Sequence, residues 1–527
     1  RGQPFTRYDI QGEDPATYAM IRRADTVGVF QIESRAQMSM LPRLAPTTFY
    51  DLVVQVAIVR PGPITGGMVH PYLKARQRQR RGLPIEYERS HHDRPGTKPR
   101  LAQALERTLG IPIFQEQVME LSMLAAGSSA EKADRLRRAM AAWKKKGGLE
   151  PFERELIEGM RARGYSAAFA QRIFEQIKGF GEYGFPESHA WSFALIAYES
   201  AWLKCHEPEA WLAALLNSQP MGFYAPAQLV QDARRHGVQV LPPDVSVSDW
   251  DCTLADPHPN PIPPAGEGAK KLGSDQHFSG QPSPRPAVRL GLRMVRALAE
   301  AAARRIIAAR AAWAFVDVDD LARRAALDTG ELNQLAAADA LASLAGHRRQ
   351  QVWQAAALKA MPTLLRDAPI DEAPLALPAA GEGEAIVHDY AALGLTLRRH
   401  PLALLRPRLE RQRLLTAAEL QHLPSGQLVR ACGLVTGRQR PATAKGTIFV
   451  TLEDETGPVN VIVWPGLRAD EAQRRALLRA QLLAVEGQWQ RDEGSGGQVR
   501  HLVARRLRDL TPLLGRLAGL TASRDFH

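Results

Sequence analysis

Apolar positions recur at helical spacing through the first 245 or so residues, and again from Leu290 to about Lys359. From Gln427 the period changes to two. Five short alternating runs follow: Leu428–Val435, Thr447–Leu452, Val459–Trp464, Leu482–Gly487 and Val499–Val503. A helical segment at about 468–480 separates the third run from the fourth. Two stretches break the pattern. Residues 246–288 hold many Pro and Gly and are expected to be a linker, and 361–425 are expected to be a linker with a helical connection. The expected fold is mainly α, with helical regions at 1–245 and 289–360, followed by a small all-β domain at 426–510 and a tail at 511–527.

Five strands with one helix between the third and fourth match an oligonucleotide-binding (OB) barrel, a fold that meets its ligand on strands two and three and on nearby loops. The loops in question are Arg438–Lys445 and Arg491–Gly497. Alternation turns Ile448, Val450 and Leu452 inward with Val459, Val461 and Val463, and turns Phe449 and Trp464 outward. Outward aromatics flanked by Arg438, Arg440 and Lys445 have the make-up of a base-stacking platform. They would equally suit packing against a neighbouring domain.

Ser128-Ser-Ala-Glu131 reads as a capping box that starts a helix with Leu136, Ala139, Met140 and Trp143 on its buried side. The other side carries Arg135, Arg137 and Arg138, then Lys144, Lys145 and Lys146. Glu131 and Asp134 are spaced to pair with Arg135 and Arg138, which leaves Arg137 and the lysines as surplus cations. Surplus cations at a helix end suit a phosphate, and a solvated basic face explains them too. The basic run 74–81 has the same two readings.

Charge and cysteine content narrow the function. The chain has 527 residues and a formal net charge of +12, which favours an acidic polymer, nucleic acid first, as partner. No apolar run reaches the ~20 residues of a membrane-spanning helix. Cys205, Cys252 and Cys432 lie far apart, which excludes a disulfide scaffold and a cysteine-rich zinc site and suits the cytoplasm. The pairs Asp249/Asp251 and Asp317/Asp319 are considered as metal carboxylates, but helix starts and linker edges explain them more simply. His91-His92-Asp93 lacks partners at ligand spacing. No catalytic and no metal-ligating residue is assigned.

The blocks Gly28-Val-Phe-Gln-Ile-Glu-Ser34, Arg60-Pro-Gly-Pro63, Phe114-Gln-Glu-Gln117, Leu136-Arg-Arg-Ala-Met140, Tyr183-Gly-Phe185 with Ser188-His189, and Leu203-Lys204 resemble, in order, signature blocks of the bacterial C-family DNA polymerases, the polymerase III alpha-like group. Arg293–Leu298 resembles that family's helix-hairpin-helix (HhH) unit, although Ala297 stands where Gly is usual. Pro186-Glu187 and Leu215–Met221 resemble the error-prone, damage-inducible branch.

The resemblance implies a DNA-directed polymerase that adds dNTPs to a primer-template, with residues 1–245 as its fingers. It implies Arg137, Arg138, Arg60, Lys144, Tyr183, Ser188 and His189 at the dNTP. Lys145, Lys146, Arg438, Arg440, Lys445, Phe449 and Trp464 are expected on nucleic acid. Mg²⁺ would sit on palm aspartates that this chain lacks, so the chain, which starts at Arg1 without an initiator Met, is expected to be a C-terminal half, inactive alone. A mutasome partner that contacts the sliding clamp is expected, and a membrane is not. Two rivals remain open: a segment of a replicative alpha subunit, and a non-catalytic HhH/OB nucleic-acid-binding protein.

Overall fold

The computed structural model describes residues 5–146, 150–180, 185–256, 285–357, 375, 377–441, 444–521 and 523–526. It divides into two compact units, residues 1–206 with 492–499, and 207–491 with 500–527.

The first unit is helical. Its centre is the helix Phe49–Ile58, buried from Asp51 to Ile58. A run this rich in Val is held as helix by its start: the Asp51 N–H donates to Thr48 Oγ1 (3.3 Å), and the Asp51 carboxylate accepts the Thr48 N–H (3.2 Å). A helix that is apolar all round must be covered. The long helix Glu187–His206 covers it with Ala190, Ala194, Ala197 and Ala201, whose small side chains allow close approach. A second core gathers Leu136 and Met140 against Leu156, Met160, Ile173, Phe174 and Ile177.

The second unit opens with a three-stranded sheet, β1 (Val240–Leu241), β2 (Thr253–Ala255) and β3 (Ala287–Arg289), in the order β1-β3-β2. β2 and the start of β3 fall within 246–288, so that span is not linker throughout; residues 257–284 lie outside the described residues. Next comes the turn Val295–Ala299 and the helix Glu300–Ala312. Ala297 lies at φ 63° in that turn.

The barrel follows the expected pattern. Its strands are β4 (Leu428–Gln439), β5 (Ile448–Asp454), β6 (Gly457–Val463), β7 (Leu482–Arg491) and β8 (Arg500–Asp509), with the helix Glu471–Arg479 between β6 and β7. β4 pairs with both β7 and β5, which closes the sheet. The inward residues of β5 and β6 are buried as the alternation requires. Within 511–527, expected as a tail, the described residues belong to the fold. Leu514 and Leu517 pack into a core with Leu434 and Leu482. A short strand, β9 (Arg524–Phe526), runs parallel to the end of β4.

Candidate nucleotide and nucleic-acid interface

In the first unit the helix Ala130–Lys146 begins at Ser129, whose Oγ accepts the Lys132 N–H (3.3 Å). Burying Ala133, Leu136 and Met140 turns Arg137 and Arg138 outward. Arg137 is not the unpaired cation its spacing suggested. Asp134 accepts from Arg137 Nη2 (2.8 Å) and from Arg138 Nη2 (2.6 Å), so one carboxylate serves two guanidiniums. The Arg137 and Arg138 bonds hold the Asp134 carboxyl below the usual range. The two Arg side chains are 40% and 73% exposed, so most of their donors remain turned to solvent. One negative charge between two positive ones leaves a cationic surface. Lys144, Lys145 and Lys146 close the helix, and their side chains, like Tyr183, lie outside the described residues.

A second group forms at the start of the helix Glu187–His206. The Arg60 guanidinium lies 4.7 Å from the Phe185 ring centre and 5.7 Å from that of Phe193. The His189 ring lies 4.4 Å from Phe193 and 5.1 Å from Phe185. Arg60 and His189 thus share one pair of rings, with Ser188 exposed beside them. Glu187 fixes this end: its carboxylate accepts from Tyr50 Oη (3.0 Å) and Arg107 (3.0 Å), and its N–H donates to Glu116 (3.0 Å). Phe193, Arg107 and Tyr50 were not singled out in the sequence; only their spatial neighbours reveal them. Among the described residues no hydrogen bond or ion pair joins Arg137 or Arg138 to this group.

The other signature blocks act within the fold. Ser34 caps the helix Arg35–Leu44, Lys204 Nζ donates to the Val27 carbonyl (3.0 Å), and Gln117 Nε2 donates to the Ala104 carbonyl (2.9 Å). The basic run 74–81 is largely engaged as well. Arg76 pairs with buried Asp51 (2.6 Å), Arg78 with Glu86 (2.5 Å), and Arg80 donates to the Leu44 and Ala45 carbonyls. A cleft of about 480 Å³ beside it is lined by Tyr50, Asp51, Tyr72, Arg76 and Arg107, with Asp51 balancing Arg76.

In the barrel, Phe449 stands opposite Ile462 on the outer face and Trp464 is 54% exposed. Arg440 and Lys445 are exposed nearby. Arg438 is the correction. It is buried, with Nε donating to the Leu477 carbonyl (2.6 Å), Nη2 to the Ala480 carbonyl, and Nη1 to Ser523 Oγ (2.7 Å) and Asp525 (3.3 Å). With its donors taken by the barrel, it is not a ligand residue. In the other loop, Arg491 donates to the Gln421 carbonyl.

In the helix-hairpin-helix turn the Arg296 N–H donates to the Ala392 carbonyl (2.9 Å) and the Leu298 N–H to the Val295 carbonyl (3.3 Å). Ala297 adopts the left-handed conformation that Gly would take freely. The carboxylate pairs do not suit a metal. Asp249 is held by Arg310 (2.8 Å), Asp251 by Arg293 (2.5 Å), and Asp317 caps the helix Val318–Arg324.

A cationic helical unit, a hairpin turn and a barrel with outward aromatics define a multidomain nucleic-acid-binding chain. Comparison makes the class particular. Residues 1–164 match the bacterial DNA polymerase III alpha subunit finger domain, 237–351 a helix-hairpin-helix motif, and 429–510 an OB-fold nucleic-acid-binding domain. The chain is 58% identical to an error-prone DNA polymerase of Bordetella bronchiseptica, over 100% of the chain and 47% of the relative. It is 56% identical to one of Methylococcus capsulatus (100% and 48%) and 58% to one of Ralstonia nicotianae (98% and 45%). Over its whole length the chain is similar to proteins named error-prone DNA polymerase, and its first 164 residues match the finger domain of the bacterial DNA polymerase III alpha subunit. It spans about half the length of the curated relatives it matches. No described helix is long and apolar enough to cross a membrane.

Proposed function

We propose that this chain supplies the fingers and DNA-binding modules of an error-prone DNA polymerase that acts in damage-induced mutagenesis and translesion synthesis in the cytoplasm. Residues 1–245 form the fingers, 289–360 the helix-hairpin-helix region and 426–510 the barrel. The observation that carries the reading is the exposed Arg137/Arg138 pair sharing a single carboxylate, in a chain 58% identical over its whole length to error-prone polymerases.

A dNTP brings a triphosphate to that surface. Arg137 and Arg138 then exchange Asp134 for phosphate oxygens, which take two parallel N–H donors from each guanidinium. Lys144 adds charge, and Lys145 and Lys146 meet the DNA backbone. Arg60, Ser188 and His189, with Tyr183, border the nascent base pair, where the Phe185 and Phe193 rings fix the orientation of Arg60 and His189. The barrel holds single-stranded template on Phe449 and Trp464, with Arg440 and Lys445 along its backbone. The divalent ions, Mg²⁺ in this reading, are held by carboxylates outside this chain. A partner protein supplies the contact with the sliding clamp.

The test is steady-state primer extension by the full polymerase carrying Arg137→Ala. A charge-assisted hydrogen bond contributes about 1.5–3 kcal/mol, so kcat/KM for dNTP should fall roughly ten- to a hundred-fold. Unchanged kinetics would remove Arg137 from the nucleotide site. The 527-residue chain alone should extend no primer.

A further inference from the structure

The two ends of the first unit meet at three side chains of metal-ligating type. Asp14 caps the helix Pro15–Arg22, while Cys205 and His206 end the helix Glu187–His206. One donor atom from each lies within 4.8 Å of the other two. We propose that Asp14, Cys205 and His206 bind a divalent transition metal of the zinc class, which clips the start of the first unit to its last helix.

The surroundings are built as a ligand shell. Asp14 is 8% exposed, and Cys205 and His206 are half-buried. His206 Nε2 stands 2.8 Å from Asp14 Oδ2. The Thr17 N–H and hydroxyl both donate to the same oxygen at 2.7 Å. Asp14 Oδ1 accepts no hydrogen bond among the described residues, which leaves one carboxylate oxygen for a metal while Thr17 holds the other. The Asp14 N–H donates to Tyr198 Oη (2.7 Å), whose proton goes to the Gln11 carbonyl (2.7 Å). Trp202 lies 4.6 Å from the His206 ring and sets its plane. Outer contacts of this kind orient metal ligands.

The donor set selects the ion. Sulfur, imidazole nitrogen and one carboxylate oxygen suit Zn²⁺ or Co²⁺, whereas Mg²⁺ takes oxygen ligands. Three protein ligands leave a fourth position for water. On binding, the Cys205 thiol releases its proton to solvent, and the thiolate and carboxylate charges balance the ion.

The experiment is a Co²⁺ titration of the chelator-stripped 527-residue chain, followed by absorption, with Zn²⁺ competition. A single equivalent should give a thiolate-to-cobalt charge-transfer band in the near ultraviolet and intense tetrahedral d–d bands, both bleached by Zn²⁺. Cys252 and Cys432 are buried in other parts of the fold, so Cys205→Ser should abolish the charge-transfer band. Thr17→Val, which leaves all three ligands, should weaken Co²⁺ roughly ten-fold. Zn²⁺ should raise the Tm of the wild-type chain and not that of Cys205→Ser. If circular dichroism shows Cys205→Ser unfolded, His206→Gln takes its place and should lose affinity while keeping a weaker band. No charge-transfer band in the wild-type chain, a band that survives Cys205→Ser, equal Zn²⁺ stabilisation of both chains, or His206→Gln binding as tightly as wild type would each overturn the site.

Discussion

Arg438 in the barrel and Arg137 in the fingers carry the same group to opposite ends. Both stand in sequence beside other cations, and both read as phosphate ligands. Arg438 is 8% exposed, with its donors taken by two main-chain carbonyls, Ser523 and Asp525. Arg137 is 40% exposed and shares Asp134 with Arg138. A guanidinium is a recognition group only while its donors are free to leave their resting partners. Carbonyls that hold Arg438 in buried hydrogen bonds at the end of the helix Glu471–Arg479 do not let go without opening the barrel; a surface carboxylate shared between two arginines does.

The largest effect that tests this contrast is on stability. Arg438→Ala leaves the Leu477 and Ala480 carbonyls buried without their donor and should lower unfolding stability by about 3 kcal/mol. Arg137→Ala removes half of an exposed pair and should change it by less than about 0.5 kcal/mol. Thermal or urea unfolding of the two variants side by side measures this. Equal losses would break the distinction between a structural and a recognition arginine.

Next in size is a pH effect confined to the second unit. His400 caps the helix Pro401–Glu410, its Nδ1 accepting the Leu402 N–H (3.2 Å). Burial pushes its pKa down to about 4; Glu455 opposes this, and Arg235 and Arg406 add to it. Above the unfolded value of about 6.5 both states are neutral and the group contributes no pH dependence. As pH falls from 6.5 to 4 the unfolded chain takes up a proton that the fold excludes. Stability therefore falls by about 1.4 kcal/mol per pH unit, about 3 kcal/mol in total, and levels off below pH 4. Buried Glu453, whose carboxyl is pushed up by burial, works in the opposite direction. The informative readout is the difference from His400→Asn, which keeps an acceptor for the Leu402 N–H. Parallel pH profiles of the two chains would show that His400 is not the titrating group.

On the outer face of the barrel the contrast sharpens again. Base–aromatic stacking contributes about 1–3 kcal/mol per base, so Phe449→Ala should weaken single-stranded DNA binding by the full chain by that amount with the barrel intact. If affinity follows only Lys445→Ala and added salt, the contact is electrostatic. If neither change matters, the outward aromatics form a packing surface.

How much of this the sequence carries depends on how local the determinant is. Alternation alone places Val450 and Val461 inside and Trp464 outside, because strand period and burial share one signal. The strand Arg524–Phe526 has no such signal: three residues with two charges become a strand only because the end of β4 offers an unpaired edge. Arg76 and Arg80 of the 74–81 run find partners at Asp51, Leu44 and Ala45, 25 or more residues away. No spacing rule reaches that far. At the proposed nucleotide surface, the sequence singles out Arg137 and Arg138 but not that Asp134 serves both. It identifies His189 but not the Phe193 ring against it.

The smallest effect is at Ala297, which stands where Gly is usual in the helix-hairpin-helix unit that Arg293–Leu298 resembles. The structure gives that residue φ 63° and keeps the turn: the flanking Arg296 and Leu298 N–H groups donate to the Ala392 and Val295 carbonyls. A Cβ in the left-handed region costs roughly 1–2 kcal/mol, and the added freedom of Gly in the unfolded chain returns part of that. Ala297→Gly should therefore stabilise the 527-residue chain by about 0.5–1 kcal/mol, read as a higher urea midpoint at unchanged m-value. Because the turn already has its shape, duplex DNA affinity should change by less than about two-fold, within about 0.4 kcal/mol. A large gain in affinity would mean that Ala297 holds the hairpin out of its binding geometry in solution. A loss of stability would mean that the left-handed conformation at this position is not the one the chain adopts.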